Sequence, residues 1–131
     1  MTTVASSDVR PKIVLVDDDA AVRAALTFAF QIDGFEVEAF ESGEDVLAAK
    51  TLPSAGCLVV DQRMSGMAGL DMVAQLRARG STLPAVLITT PTTLVRRAAA
   101  AANVPIVEKP LMSSALIDQV RQMVVAPPPA P

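Results

Sequence analysis

The sequence predicts an alternating α/β fold: a five-stranded parallel sheet with helices on both faces. Three observations carry that expectation. Between residues 12 and 125, short aliphatic runs alternate five times with longer segments that are apolar at every third or fourth position. The runs at 12–16, 57–60 and 84–88 are apolar at almost every position, as strands covered on both faces are. Turn residues punctuate the rhythm, notably Asp33-Gly34, residues 53–56 and Gly80.

The elements follow in order. Residues 12–16 (K-I-V-L-V) read as the first strand, ending in acids. Residues 19–32 read as a helix, with Asp19 as N-cap, Val22, Leu26, Ala29 and Phe30 at helical spacing, and Asp33-Gly34 as its stop. Residues 35–40 (F-E-V-E-A-F) alternate as an edge strand with one wet face does. Ser42 and Asp45 have capping-box spacing and open a short helix to about Lys50. Residues 57–60 form a strand ending at Asp61, and 64–68 a loop of small residues. Leu70, Val73, Ala74 and Leu76 mark the next helix, which ends near Gly80. Residues 84–88 lead as a strand into Thr89 and Thr90, and the alanines of 93–103 support a helix. Residues 105–108 are a short strand, and Ser113 or Ser114 caps a last helix to about Val125. One domain over 11–125 is expected, with a flexible segment at 1–10 and an extended Pro-rich tail at 126–131.

Composition removes several classes of function. Lys plus Arg is 11 against 14 Asp plus Glu, a formal charge of −3, which argues against nucleic-acid binding driven by basic charge. The absence of histidine removes His-based acid–base catalysis, His–metal sites and phosphohistidine carriers. A single cysteine, Cys57, cannot form an intrachain disulfide or a multi-Cys metal site. No Trp or Tyr and only four Phe supply little stacking for bases. The N-terminus lacks a signal-peptide core and no apolar run is long enough to span a bilayer, so the expectation is a cytoplasmic protein without a membrane partner.

In open α/β sheets, ligands bind beyond the carboxyl ends of the strands at the switch point of strand order. Four features fall at such ends: Asp17-Asp18-Asp19, Asp61, Thr89 and Lys109. In the flavodoxin-like (βα)5 order 2-1-3-4-5 the first and third strands are neighbours, so their acids share one pocket. Two carboxylates about 4 Å apart repel by about 4 kcal/mol at an effective dielectric near 20. Such a cluster needs a cation or a proton, and an all-oxygen donor set favours Mg²⁺ or Mn²⁺ over zinc. With Lys109 added, the set suits in-line attack of a carboxylate on a phosphoryl group. Taken singly, each feature has a plainer reading: a solvated strand end for Asp17 and Asp18, a helix cap for Asp19, and turn or surface residues for Asp61, Thr89 and Lys109.

The segments I-V-L-V-D-D-D (13–19), V-V-D-Q-R-M-S-G-M-A-G-L (59–70), L-I-T-T (87–90) and V-E-K-P-L (107–111) resemble, in order and spacing, the receiver domains of two-component response regulators. Their texture is similar to receivers of nitrogen-fixation and LuxR-type regulators. The resemblance implies Asp61 as phosphoacceptor and Asp17 and Asp18 as the acidic pair holding Mg²⁺, with the backbone carbonyl of Arg63 completing the metal shell. It implies Thr89 as the switch hydroxyl, Lys109 on the phosphoryl oxygens, and a cis Lys109-Pro110 peptide. It also implies a histidine kinase or phosphotransfer protein as donor and a downstream protein as target. Two departures stand out. Ser65 replaces the family's usual proline, which implies a less rigid loop with the chemistry intact. Ile106 replaces the switch aromatic, and the stretch from Thr89 to Lys109 looks short, so coupling is expected to run through residues 90–103 instead.

Three functions compete at this point. The first is a single-domain, phosphorylatable response regulator with protein-contact output, not an enzyme beyond catalysing its own phosphorylation and dephosphorylation. The second is a degenerate receiver acting as a phosphorylation-independent binding module or kinase inhibitor. The third is a Mg²⁺-dependent phosphohydrolase, for which Asp17-x-Asp19 has the spacing but the downstream acids and a cap domain are missing.

Overall fold

The apolar runs and turn signals become five strands and five helices in strict alternation. The computed structural model describes residues 11–53, 56–109 and 114–125. The strands are β1 (Lys12–Val16), β2 (Glu36–Phe40), β3 (Gly56–Asp61), β4 (Ala85–Thr89) and β5 (Ile106–Glu108). The helices are α1 (Ala20–Ile32), α2 (Gly43–Ala48), α3 (Gly69–Ala78), α4 (Thr93–Ala101) and α5 (Ala115–Val125). All strand pairs are parallel, in the order β2-β1-β3-β4-β5, so the fold is the expected flavodoxin-like one. The chain reverses direction across the sheet between β1 and β3, which creates the switch point there.

Strand alternation divides the core into two layers. Val14, Val16, Leu58, Val60 and Leu87 face Val46 of α2, Met72, Val73 and Leu76 of α3 and Ala99 of α4. Ile13, Leu15, Val59, Val86 and Ile88 face Phe30 of α1 and Leu116 and Val120 of α5. Phe30 also meets Phe35 edge to face, with ring centroids 5.8 Å apart. Each of these buried Val, Leu, Ile, Met and Phe side chains contributes about 1.5–3 kcal/mol by leaving water. Cys57 lies in the second layer, where burial pushes its thiol up to about 12, leaving it a neutral, small apolar group. Gly56 has φ +134°, and a Cβ there would stand 1.9 Å from the Lys12 carbonyl oxygen, so β1 and β3 can pair at this end only through glycine.

Some boundaries and faces differ from the sequence reading. The buried stripe of α3 is Gly69, Met72, Val73 and Leu76, the i, i+3, i+4, i+7 set; Ala74 lies one residue round the helix and is exposed. β2 is not wet on one face only: Val37 packs toward α1, Phe40 toward the opposite layer, and Ala39 is exposed. An edge strand has a neighbour on one side only, and the helices cover it unevenly. α2 stops at Ala48, because Ala49 turns extended. α4 stops at Ala101, and Asn103 takes the left-handed φ of +57° that ends a helix. Asp19 and Ser42 cap as expected, each accepting backbone N–H bonds from the first turn. The Ser113 cap, the cis Lys109-Pro110 peptide and the segments 1–10 and 126–131 lie outside the described residues. No helix among the described residues is long and apolar enough to cross a membrane.

Candidate functional site

Register brings the acids together. Val16 pairs with Val60, so the next residues, Asp17 and Asp61, leave adjacent strands side by side. One carboxylate oxygen each from Asp17, Asp18 and Asp61 lie within 4.8 Å of one another. Asp17 is fully buried and Asp61 nearly so, while Asp18 is exposed at the rim. Lys109 follows β5, and its N–H donates to the Thr89 carbonyl at 2.9 Å. From there its Nζ reaches Asp61 Oδ2 at 3.3 Å.

The electrostatics are unbalanced at one atom. Asp17 Oδ1 accepts the Asp19 N–H at 2.9 Å, but Oδ2 is buried with no hydrogen-bond partner among the described residues. Burial holds the Asp17 carboxyl above the usual carboxylate range; the Asp19 N–H opposes this, the Asp61 charge adds to it, Lys109 opposes and Asp18 adds. A buried carboxylate oxygen with no hydrogen-bond partner among the described residues, beside two further carboxylates, calls for positive charge beyond that of Lys109. The donor set, all oxygen and half-exposed to solvent through Asp18, fits a hard divalent cation.

The surrounding loops are tied to this cluster. Arg23 of α1 donates to the Asp17 carbonyl at 2.8 Å and pairs with Glu41 at 3.7 Å. The Arg63 N–H donates to Asp61 Oδ1 at 3.3 Å, and the Arg63 residue itself is exposed. The β3–α3 loop is not slack at Ser65. Its N–H and Oγ both donate to Asp18 Oδ2, at 2.9 and 3.2 Å. Two residues on, the Met67 N–H donates to Glu44 Oε2 of α2 at 3.2 Å. Gln62 Oε1 accepts the Leu70 N–H at 2.8 Å, capping α3, whose own N-cap residue Ala68 offers no side-chain bond. Gly69 lets this turn lie against β3: a Cβ there would be 2.6 Å from the Asp61 carbonyl oxygen.

The structure therefore brings Asp17, Asp18, Asp61 and Lys109 to one point. Thr89 is buried at the end of β4. Strand alternation gives it the face of Leu87 rather than that of Ile88, which is paired with Asp61, and no described hydrogen bond joins its hydroxyl to Asp61. Ile106 is half-buried and packs into the first core layer. Arg23, Glu44, Gln62 and Ser65 were not singled out as supports of the site by sequence reading. Ser65 and Asp18 are 47 residues apart, so no local pattern announces their contact. A cavity of about 410 Å³ between α2 and the end of α3 lies at the opposite end of the sheet, and no acid among the described residues lines it.

Fold and site together define a doubly wound α/β domain with an acidic, lysine-bearing pocket at its switch point. Comparison with known proteins makes the class specific. The family described as the response regulator receiver domain matches residues 13–121. The C4-dicarboxylate transport transcriptional regulatory protein DctD of Pseudomonas aeruginosa is 31% identical over 124 residues, covering 93% of this chain and 27% of the relative. The transcriptional regulatory protein FixJ of Bradyrhizobium diazoefficiens is 36% identical over 77 residues, covering 59% of this chain and 38% of the relative. Among solved structures, the response regulator StyR superposes with a TM-score of 0.75 at 34% identity, over 88% of this chain and 60% of that one. The HemR receiver domain of Leptospira biflexa shares the fold with a TM-score of 0.82 at 19% identity, over 93% of this chain and all of that one. The chain belongs to the receiver domain family of two-component response regulators, and it spans a quarter to two-fifths of the length of those two curated relatives.

Proposed function

We propose that this chain accepts a phosphoryl group on Asp61 from the phosphohistidine of a sensor kinase or phosphotransfer protein, in a reaction that depends on Mg²⁺ or Mn²⁺. The observation that carries the proposal is the meeting of Asp17, Asp18 and Asp61 within 4.8 Å, with the Lys109 ammonium 3.3 Å from Asp61 Oδ2. An Asp61 oxygen attacks phosphorus as the donor's bond to phosphorus breaks, and the donor leaves with that electron pair. Lys109 lies where it can neutralise phosphoryl oxygens, and its pairing with Asp61 holds the nucleophile in place beforehand. Asp17, Asp18 and Asp61 are the side chains that would hold the cation, and the family resemblance adds the Arg63 backbone carbonyl as a further oxygen. Bound there, the cation would offset charge on the transferred group. Thr89, at the end of β4, is the hydroxyl assigned to read the phosphoryl group once formed.

The reading includes a cytoplasmic site of action, where kinases have ATP, and an output made through protein contacts. The chain makes and loses its own acyl phosphate and turns over no separate substrate. Intact-mass measurement after incubation with acetyl phosphate tests it. One phosphoryl adduct is expected with Mg²⁺, none with chelator and none in Asp61→Asn. No adduct in the wild type would favour a phosphorylation-independent binding module, and multiple-turnover hydrolysis of a phosphomonoester such as p-nitrophenyl phosphate would favour a phosphohydrolase.

A further inference from the structure

We propose that Ser65 is a positioning residue for the cation site, acting through Asp18. The inference rests on the metal-binding part of the proposed function. Asp18 is the one carboxylate of the three that is exposed, and an exposed Asp side chain samples several rotamers. Here a single oxygen, Oδ2, receives both the N–H and the hydroxyl of Ser65. Two donors on one oxygen orient the carboxylate and leave Oδ1 without these bonds. They also remove part of the negative charge that Asp18 presents to Asp17 and Asp61.

Ser65 can do this because its loop is anchored from the far side. Glu44 accepts the next-but-one N–H, that of Met67. Gly66 has φ +80°, and a Cβ there would be 2.7 Å from Glu44 Oε2, so the approach of Glu44 depends on that glycine. The serine donors are thus set before a cation arrives. Groups that hydrogen-bond a metal-ligating carboxylate fix its orientation, and their loss commonly weakens binding by about ten- to a hundredfold. Removing the hydroxyl alone leaves the N–H in place, so the loss should fall at or somewhat below the smaller end of that range.

The test is calorimetric titration of the full chain with MgCl₂, in wild type, Ser65→Ala and Ser65→Thr. Ser65→Ala is expected to weaken Mg²⁺ binding about three- to tenfold, equivalent to roughly 0.7–1.4 kcal/mol. Ser65→Thr keeps the hydroxyl and should restore binding to within about twofold, or roughly 0.4 kcal/mol. The metal-free melting temperatures of all three should agree closely, since Ser65 is exposed. Equal affinity in all three proteins overturns this inference alone. Tighter binding by Ser65→Ala also overturns it, because the serine would then compete with the cation. No Mg²⁺ binding by any of the three overturns it together with the metal-binding part of the proposed function.

Discussion

Replacing Asp17 by asparagine should stabilise the metal-free protein and remove its response to Mg²⁺. Asparagine keeps the shape and an oxygen for the Asp19 N–H, but removes a buried charge whose Oδ2 has no partner. At the 4.8 Å bound on the cluster, one pair of carboxylates repels by about 3 kcal/mol at an effective dielectric near 20. Lys109, held 3.3 Å from Asp61, offsets part of this, so the net gain should be about 1–2 kcal/mol, or roughly 3–10 °C in Tm. The pH dependence has a definite sign. Because the folded Asp17 pKa is raised above the ordinary 3.8, its contribution is fully present below that value and is lost as pH rises through the folded pKa. The wild type minus Asp17→Asn stability difference should therefore fall with rising pH across that window. With Mg²⁺ at a hundred times its Kd, the wild type should gain about 2.7 kcal/mol and the variant far less. Thermal melts in chelator and in Mg²⁺, across pH, measure all of this. A metal-free variant that melts below the wild type, or an equal Mg²⁺ increment in both, would refute the reasoning.

Lys109→Ala should slow phosphoryl uptake from acetyl phosphate at least about tenfold. It should also lower stability by about 1–2 kcal/mol in urea melts, since Asp61 would lose its ion pair while Lys109 itself is a third exposed. Gly69→Ala should cost about 1–3 kcal/mol, because its Cβ would press on the Asp61 carbonyl and on Val60 Cγ1, at 2.6 and 2.7 Å. The same urea melts check it, and a neutral effect would show that the α3 turn yields easily. A beryllofluoride mimic on Asp61 should alter hydrogen exchange across 90–103 more than at Ile106. α4 buries only Ala99 and leaves Leu94 77% exposed, so it can shift at low cost.

The central strands were legible because burial on both faces leaves one kind of residue: 13–16, 57–60 and 85–88 are aliphatic or Cys throughout. The acids were legible for the opposite reason, since Asp17 and Asp61 interrupt those runs at the same end of paired strands. Helix faces were less so. Ala74 fits an apolar stripe by type, but methyl-sized side chains are tolerated in or out, and Met72 holds the buried position. The supports of the site were hidden because they are long-range. Asp18 reads in sequence as a repelled charge, whereas Ser65 gives one of its oxygens two donors from 47 residues away. A serine at that position suggests a slacker loop, and only the fold shows that it ties the loop to the acid cluster.

The most direct measurement locates the phosphoryl group itself. The chain is phosphorylated with acetyl phosphate and Mg²⁺, reduced with borohydride, which converts an acyl phosphate to the alcohol, and mapped by peptide mass spectrometry. The expected result is modification at Asp61 alone, at the point where β3 meets Asp17, Asp18 and Lys109. Modification at another carboxylate, or at none while Mg²⁺ binds, would contradict the assignment of Asp61 as the acceptor.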